Sequence, residues 1–178
     1  MEDTDFYNET LEEILNYNLE LLTEKEIIKL NKKCEEIQIE SILNNNLEES
    51  IDLPIKIEKK IIDEELDCSL IKGQYIINLM DLARIKFDKG KYDEAAKLYW
   101  EILNKDSKEC LSDKNFIIAN LIELGNDVTL VLEEIERYKN DYRYREILKE
   151  YKNKNFDKVR SMLLNIFEEN IEKLEKNL

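Results

Sequence analysis

Three glycines and a single proline in 178 residues leave this chain almost no punctuation. Glycine supplies the positive-φ turns and proline the rigid breaks that most folds need, so so few of both point to helices joined by short links. Apolar residues make up 43% of the sequence, enough for a packed core and against wholesale disorder. The glycines therefore mark places worth reading. Gly90 stands in "FDKGKYDEAAKLYWEIL" (87–103), preceded by Lys86 and Lys89, the order expected at a helix C-terminus. Gly125 ends "SDKNFIIANLIELG" in the same way, with Ser112 or Asp113 as the expected helix cap.

Apolar spacing at three and four residues fills in the helices. Leu11, Ile14, Leu15, Leu19 and Leu22 form one stripe, predicting a helix over 5–22. Thr23 followed by Glu26 reads as a capping box for a second helix, with Ile27, Leu30, Cys34 and Ile37 on one face. That helix should fade near "NNNLEES", with a surface connection over 50–54 and a short helix in "IKIEKKIIDEEL". From residue 70 onward the helical stripes are clearer and no strand pattern occurs. Every link is short, so successive helices should be antiparallel neighbours. The expected organisation is an acidic N-terminal helical segment, 1–69, and a helical repeat domain, 70–178.

The net charge of −14 is uneven: the first 70 residues hold 20 acidic and 7 basic side chains, the remainder 21 and 20. The acidic part would repel phosphate backbones and anionic lipid, so direct nucleic-acid binding and membrane association are not expected of it. Three scattered cysteines without a CxxC pair fit buried thiols in a reducing compartment. Histidine is absent, which removes the commonest zinc ligand and the usual neutral-pH base. No phosphate-binding loop, serine elbow, calcium loop or metal spacing occurs. We therefore expect no enzyme activity, no cofactor and no metal. The start, "MEDTDFYNET", lacks the basic and apolar regions of a signal peptide, and no stretch reaches eighteen uninterrupted apolar residues. A cytoplasmic location is the expectation.

"GKYDEAAKLYWEIL" also carries a spacing that resembles the tetratricopeptide repeat, a helix–turn–helix unit. In that register Leu82 and Ala83 sit on the first helix, Gly90 and Tyr92 at the turn, and Ala95, Tyr99, Ile102 and Leu103 along the second. Tyr92 should pack across the pair, and Ala95 should be small because the partner helix passes close by. "GNDVTLVLEEIERY" begins in the same manner, and "KNFDKVRSMLLNIF" repeats the aromatic-Asp step as Phe156 and Asp157. Over residues 75–167 the chain is similar to the PCI-type subunits of the proteasome lid and of translation initiation factor 3, most of all the subunit e family. The resemblance rests on "QYIINLMDLARIKFDKGKYDEAAKLYWEILNKDS", "LSDKNFIIANLIELGNDVTLVLEEIERYKND" and "REILKEYKNKNFDKVRSMLLNI". It implies an all-α fold of antiparallel helix pairs stacked as a right-handed superhelix. It also implies a non-catalytic scaffold subunit that joins other protein subunits in translation initiation on the small ribosomal subunit.

A stand-alone adaptor holding a peptide or helix in a concave groove is the alternative. In this type of fold the first helix of each pair lines the concave face, which makes Ile77, Met80, Arg84 and Asp88 candidate partner contacts. The carboxylate clamp of some tetratricopeptide proteins wants Lys and Asn where Met80 and Arg84 stand. Of the adjacent Tyr99 and Trp100, one should be core and the other an anchor for the next helix pair or another chain. The run "RYKNDYRYR" (137–145) interleaves bases with tyrosines, a pattern that can stack on RNA or pack at a helix junction.

Overall fold

The computed structural model describes residues 23–43, 47–63, 69–105, 111–138 and 141–176. The helix expected over 5–22, Cys68 and Cys110 lie outside these residues. Among the described residues eight helices run in order: α1 (Glu24–Leu43), α2 (Leu47–Asp63), α3 (Ser69–Asp88), α4 (Tyr92–Lys105), α5 (Leu111–Glu123), α6 (Thr129–Tyr138), α7 (Tyr142–Lys152) and α8 (Phe156–Glu175). The protein is all-α, with no strand among the described residues. It forms two compact units, Met1–Lys91 and Tyr92–Leu178. The charge-based division after residue 69 falls inside the first unit.

In the first unit α1 packs on α2, and α2 on α3. The capping box opens α1 as read: the Thr23 amide and hydroxyl donate to Glu26 Oε2 at 2.8 and 2.7 Å, and the Glu26 amide returns a 3.4 Å bond to Thr23 Oγ1. Ile27, Leu30 and Cys34 are buried along one face of α1. The surface connection expected over 50–54 is instead part of α2, and Pro54 lies buried within that helix. The stripe Ile51, Pro54, Ile55 and Glu58 follows helical spacing, and burying it outweighs the backbone hydrogen bond that proline cannot donate. On α3, Tyr75, Leu79, Leu82 and Ala83 are buried.

In the second unit α4 packs on α5, α6 on α7, and α7 on α8, while the principal partner of α5 is α8. Successive helices are thus not the rule everywhere: α5 skips over the α6–α7 pair to its main contact. Phe116 and Phe167 meet there with ring centroids 5.3 Å apart, and Arg160 of α8 is ion-paired to Glu123 of α5. The expected caps Ser112 and Asp113 fall within α5, which is helical from Leu111. Asn115, Ile118 and Ile122 are buried along it.

Three helices end in the same motif. At Gly90 the amide of Lys91 donates to Lys86 O and that of Gly90 to Phe87 O, both at 2.9 Å. The equivalent pairs are Asn126 to Leu121 and Gly125 to Ile122, then Asn155 to Glu150 and Lys154 to Tyr151. This is the Schellman stop, which needs a left-handed residue at its centre. Gly90 and Gly125 supply it with φ of 71° and 73°, but the third turn uses Lys154 at φ 61°. A residue with a Cβ is strained there by about 1 kcal/mol. Lys154→Gly should therefore raise the urea midpoint by an amount equivalent to about 0.5–1 kcal/mol at unchanged m-value, and Gly90→Ala should lower it comparably. Midpoints indistinguishable from wild type in both variants would contradict this account of the turns.

Candidate functional site

Four features compete as a functional site. The first is the outward row of α3. Ile77, Arg84 and Asp88 are exposed and Met80 is half-buried. Steps of three and four residues keep them within one stripe, opposite the buried Tyr75, Leu79 and Leu82. Asp81 beside the row has its carboxyl raised by partial burial and lowered in part by Arg84. The four residues picked from sequence therefore share a face, with an apolar half at Ile77 and Met80 and a charged half at Arg84 and Asp88.

The second is the repeat-type helix α4. Ala95, Tyr99 and Ile102 are buried and Leu103 is half-buried, as are Leu82 and Ala83 on α3 (both buried). Tyr92 departs from the expectation of packing: it is 55% exposed. As the first residue of α4 its side chain leans toward the helix N-terminus, past the packed part of the face. Gly90, two residues earlier, is exposed and makes the turn. The neighbouring Trp100 is half-buried, and its indole N–H donates to Asn126 Oδ1 at 3.2 Å. Trp100 thus ties α4 to the turn after α5, the intramolecular one of its two expected roles.

The run 137–145 divides into structural and exposed members. Asp141 caps α7 by accepting from the Arg143 amide at 3.0 Å. The Arg143 guanidinium reaches both Asp141 and Glu169 at 2.7 Å, which removes it from the surface set. Tyr144 is buried and donates to the equally buried Asn115 Oδ1 at 3.0 Å, joining α7 to α5. Tyr138 and Tyr142, by contrast, are 82% and 79% exposed, and Leu130 on α6 is 80% exposed. Arg137 and Arg145 stand beside the tyrosines in sequence and are exposed, with Arg145 Nε 3.4 Å from Glu136.

The fourth feature was missed in the sequence. Glu58 of α2 is almost wholly buried and accepts two bonds from Asn78 Nδ2 of α3, at 2.8 and 3.0 Å. Gln74 Nε2 donates to Asn78 Oδ1 at 3.2 Å, and on α1 Asn31 Nδ2 donates to Glu35 Oε1 at 2.9 Å. Burial pushes the Glu58 carboxyl up to about 8; the Asn78 bond opposes that rise and Glu35 adds to it. Burial also raises the Cys34 thiol, with Glu58 and Glu35 contributing, so this thiol stays protonated and unreactive. The signal was present, since Glu58 continues the buried spacing of Ile51 and Ile55, but a glutamate on an apolar stripe reads as its edge. Among the described residues no group of three His, Cys, Asp or Glu side chains could hold a metal ion.

This arrangement is a polar tie inside a core. With these features described, comparison with known proteins returns nothing to add: no protein family, no curated protein and no solved structure matches the chain. Among the described residues no helix is long and apolar enough to cross a membrane.

A raised carboxyl fixes the sign of a pH effect. Between the ordinary value of 4.5 and about 8 the folded chain holds a proton on Glu58 that the unfolded chain has lost. The Glu58 contribution to stability is then greatest below pH 4.5, falls by up to about 1.4 kcal/mol per pH unit across that window, and levels off above it. Glu58→Gln should remove this slope and stabilise the chain near pH 8, as read by urea unfolding at several pH values. A slope unchanged by the substitution would mean that Glu58 is ionised in the fold.

Proposed function

We propose that this chain is a non-catalytic helical scaffold whose work is to hold other proteins together. In its finer form the reading is the one implied by the PCI-type resemblance: antiparallel pairs stacked as a right-handed superhelix, and a subunit joined to partner subunits in translation initiation. Support for the repeat comes from burial at an offset of 64 residues. Ala95, Tyr99 and Ile102 on α4 correspond to Val159, Leu163 and Ile166 on α8, and all six are buried. Each of these helices opens with an exposed aromatic, Tyr92 or Phe156, two residues after a left-handed turn residue.

The observation that carries the scaffold reading is the α6–α7 surface. Tyr138, Tyr142 and Leu130 are each about four-fifths exposed, with Arg137 and Arg145 alongside the tyrosines. Tyrosine and arginine are the residue types that dominate binding energy at protein interfaces. A second reading, the stand-alone adaptor, is favoured by the outward row Ile77, Met80, Arg84 and Asp88, which offers apolar and charged contacts along one helix face.

Purification of the tagged chain from its native cell separates these. A scaffold should bring down a fixed set of proteins in constant ratio, and Tyr138→Ala with Tyr142→Ala should reduce that recovery about tenfold or more. The adaptor would instead lose its ligand through Ile77→Glu and keep it through the tyrosine pair. Recovery of the chain alone at native abundance would contradict both.

A further inference from the structure

Ionisation of Glu58 bears unequally on the three described helices of the first unit, because its carboxyl meets them in different ways. From α3, the neutral Asn78 donates to both oxygens at 2.8 and 3.0 Å, and Gln74 in turn donates to Asn78. A negative charge on Glu58 strengthens those bonds. From α1, Glu35 and the Cys34 thiol meet Glu58 through charge, with no hydrogen bond to it among the described residues. A negative charge on Glu58 is opposed there by burial and by Glu35. Lys33 acts on Cys34, and Lys59, next to Glu58 in α2, is exposed. On the buried face of α1, Asn31 Nδ2 is committed to Glu35, while Asn31 Oδ1 is buried without a donor among the described residues. Packing follows the same division. α1 is packed chiefly on α2, whereas α2 lies against both α1 and α3.

We infer that Glu58 is a proton latch on α1. While the carboxyl keeps its proton, α1 stays packed on α2; once the proton is lost, α1 leaves as a unit and the α2–α3 pair remains, with its Glu58–Asn78 bonds in place. Water then reaches the carboxylate from the side that offers it no donor, and Glu35 moves away with α1. Burial holds the carboxyl up at about 8 in the closed arrangement, against an ordinary 4.5, and hydration in the open one returns it toward that ordinary value. Rising pH therefore favours opening by up to about tenfold per unit between those values, and by no more above them. The surface uncovered on α1 is Ile27, Leu30 and Cys34, three buried residues on one face. The Thr23–Glu26 box lies within the departing piece, so α1 keeps its own first-turn cap.

Amide exchange on the full chain, with labelling times scaled to the intrinsic rate at each pH, reads the three helices separately. Protection of α1 should fall by up to about tenfold per pH unit until about pH 8 and then level off. Amides of α2 and α3, which open only with the whole unit, should stay protected about tenfold or more above those of α1 throughout. Cys34, followed by peptide mapping after brief alkylation, should react relative to a free thiol in proportion to the opening of α1. Glu58→Gln keeps an acceptor for Asn78 and carries no charge, so it should hold α1 at its acid-side protection across the range. Glu35→Gln should leave the pH dependence in place and raise α1 protection about threefold on the alkaline side. Protection of α3 at acid pH checks that both variants fold. Equal protection of all three helices at each pH would overturn the inference, since Glu58 would then act on the unit as a whole. So would an α1 whose protection ignores pH, or one whose pH dependence survives Glu58→Gln.

Discussion

The second unit depends on α5 meeting α8. The other main helix contacts there join helices adjacent in sequence, through α4–α5, α6–α7 and α7–α8. Of the main helix packings, only α5–α8 connects α4–α5 with α6–α8. The α5–α8 contact closes them into one body, with Phe116 against Phe167 in its apolar part and Arg160 paired to Glu123 in its polar part. Ile117, Ile118, Leu121 and Ile122 of α5 are all buried. The Tyr144–Asn115 bond from α7 then seals the same helix from a third direction. Closure across a long sequence separation costs loop entropy, so local order at the turns has to limit what remains to be fixed.

That local order comes from the helix stops. The Schellman turns at Gly90, Gly125 and Lys154 fix where each helix ends and which way the chain leaves it. Side chains reinforce two of them. Asn126, just beyond Gly125, receives the Trp100 indole, and Tyr151 packs on Phe156 across the Lys154 turn at a centroid distance of 5.3 Å. Tyr151 also uses its hydroxyl to accept the Val128 amide at 3.1 Å, binding α7 to the entry of α6. The strained Lys154 is thus held by contacts on both sides, which explains how the turn persists without glycine.

Part of what depends on local chemistry was legible in the sequence. The glycine at 90, the Thr23–Glu26 box and the stripes of α1, α3 and α4 all express a three- or four-residue rule that the chain obeys within a few turns. The failures share a different cause. Pro54 reads as a breaker because its missing N–H is visible in sequence, while the burial of Ile51 and Ile55 that compensates it is not. Tyr92 has the right spacing but sits at the first position of its helix, where its side chain stays more than half exposed. The α5–α8 pairing and the Glu58–Asn78 tie connect residues 20 or more positions apart, and no periodicity in one chain encodes such a pairing. For the candidate sites, spacing placed Ile77, Met80, Arg84 and Asp88 correctly on one face. It could not separate Arg143 and Tyr144, which hold the fold, from Tyr138 and Tyr142, which do not.

The scaffold proposal needs a second unit that displays Tyr138 and Tyr142 while tying down Arg143 and Tyr144. That unit in turn rests on α5 and α8 meeting. A double-mutant cycle on Phe116→Leu and Phe167→Leu, followed by urea unfolding, measures this directly. The account predicts a coupling of about 0.5–1.5 kcal/mol between the two rings. Effects that add to within about 0.3 kcal/mol would show that the rings do not meet, and the closed second unit would have to be abandoned.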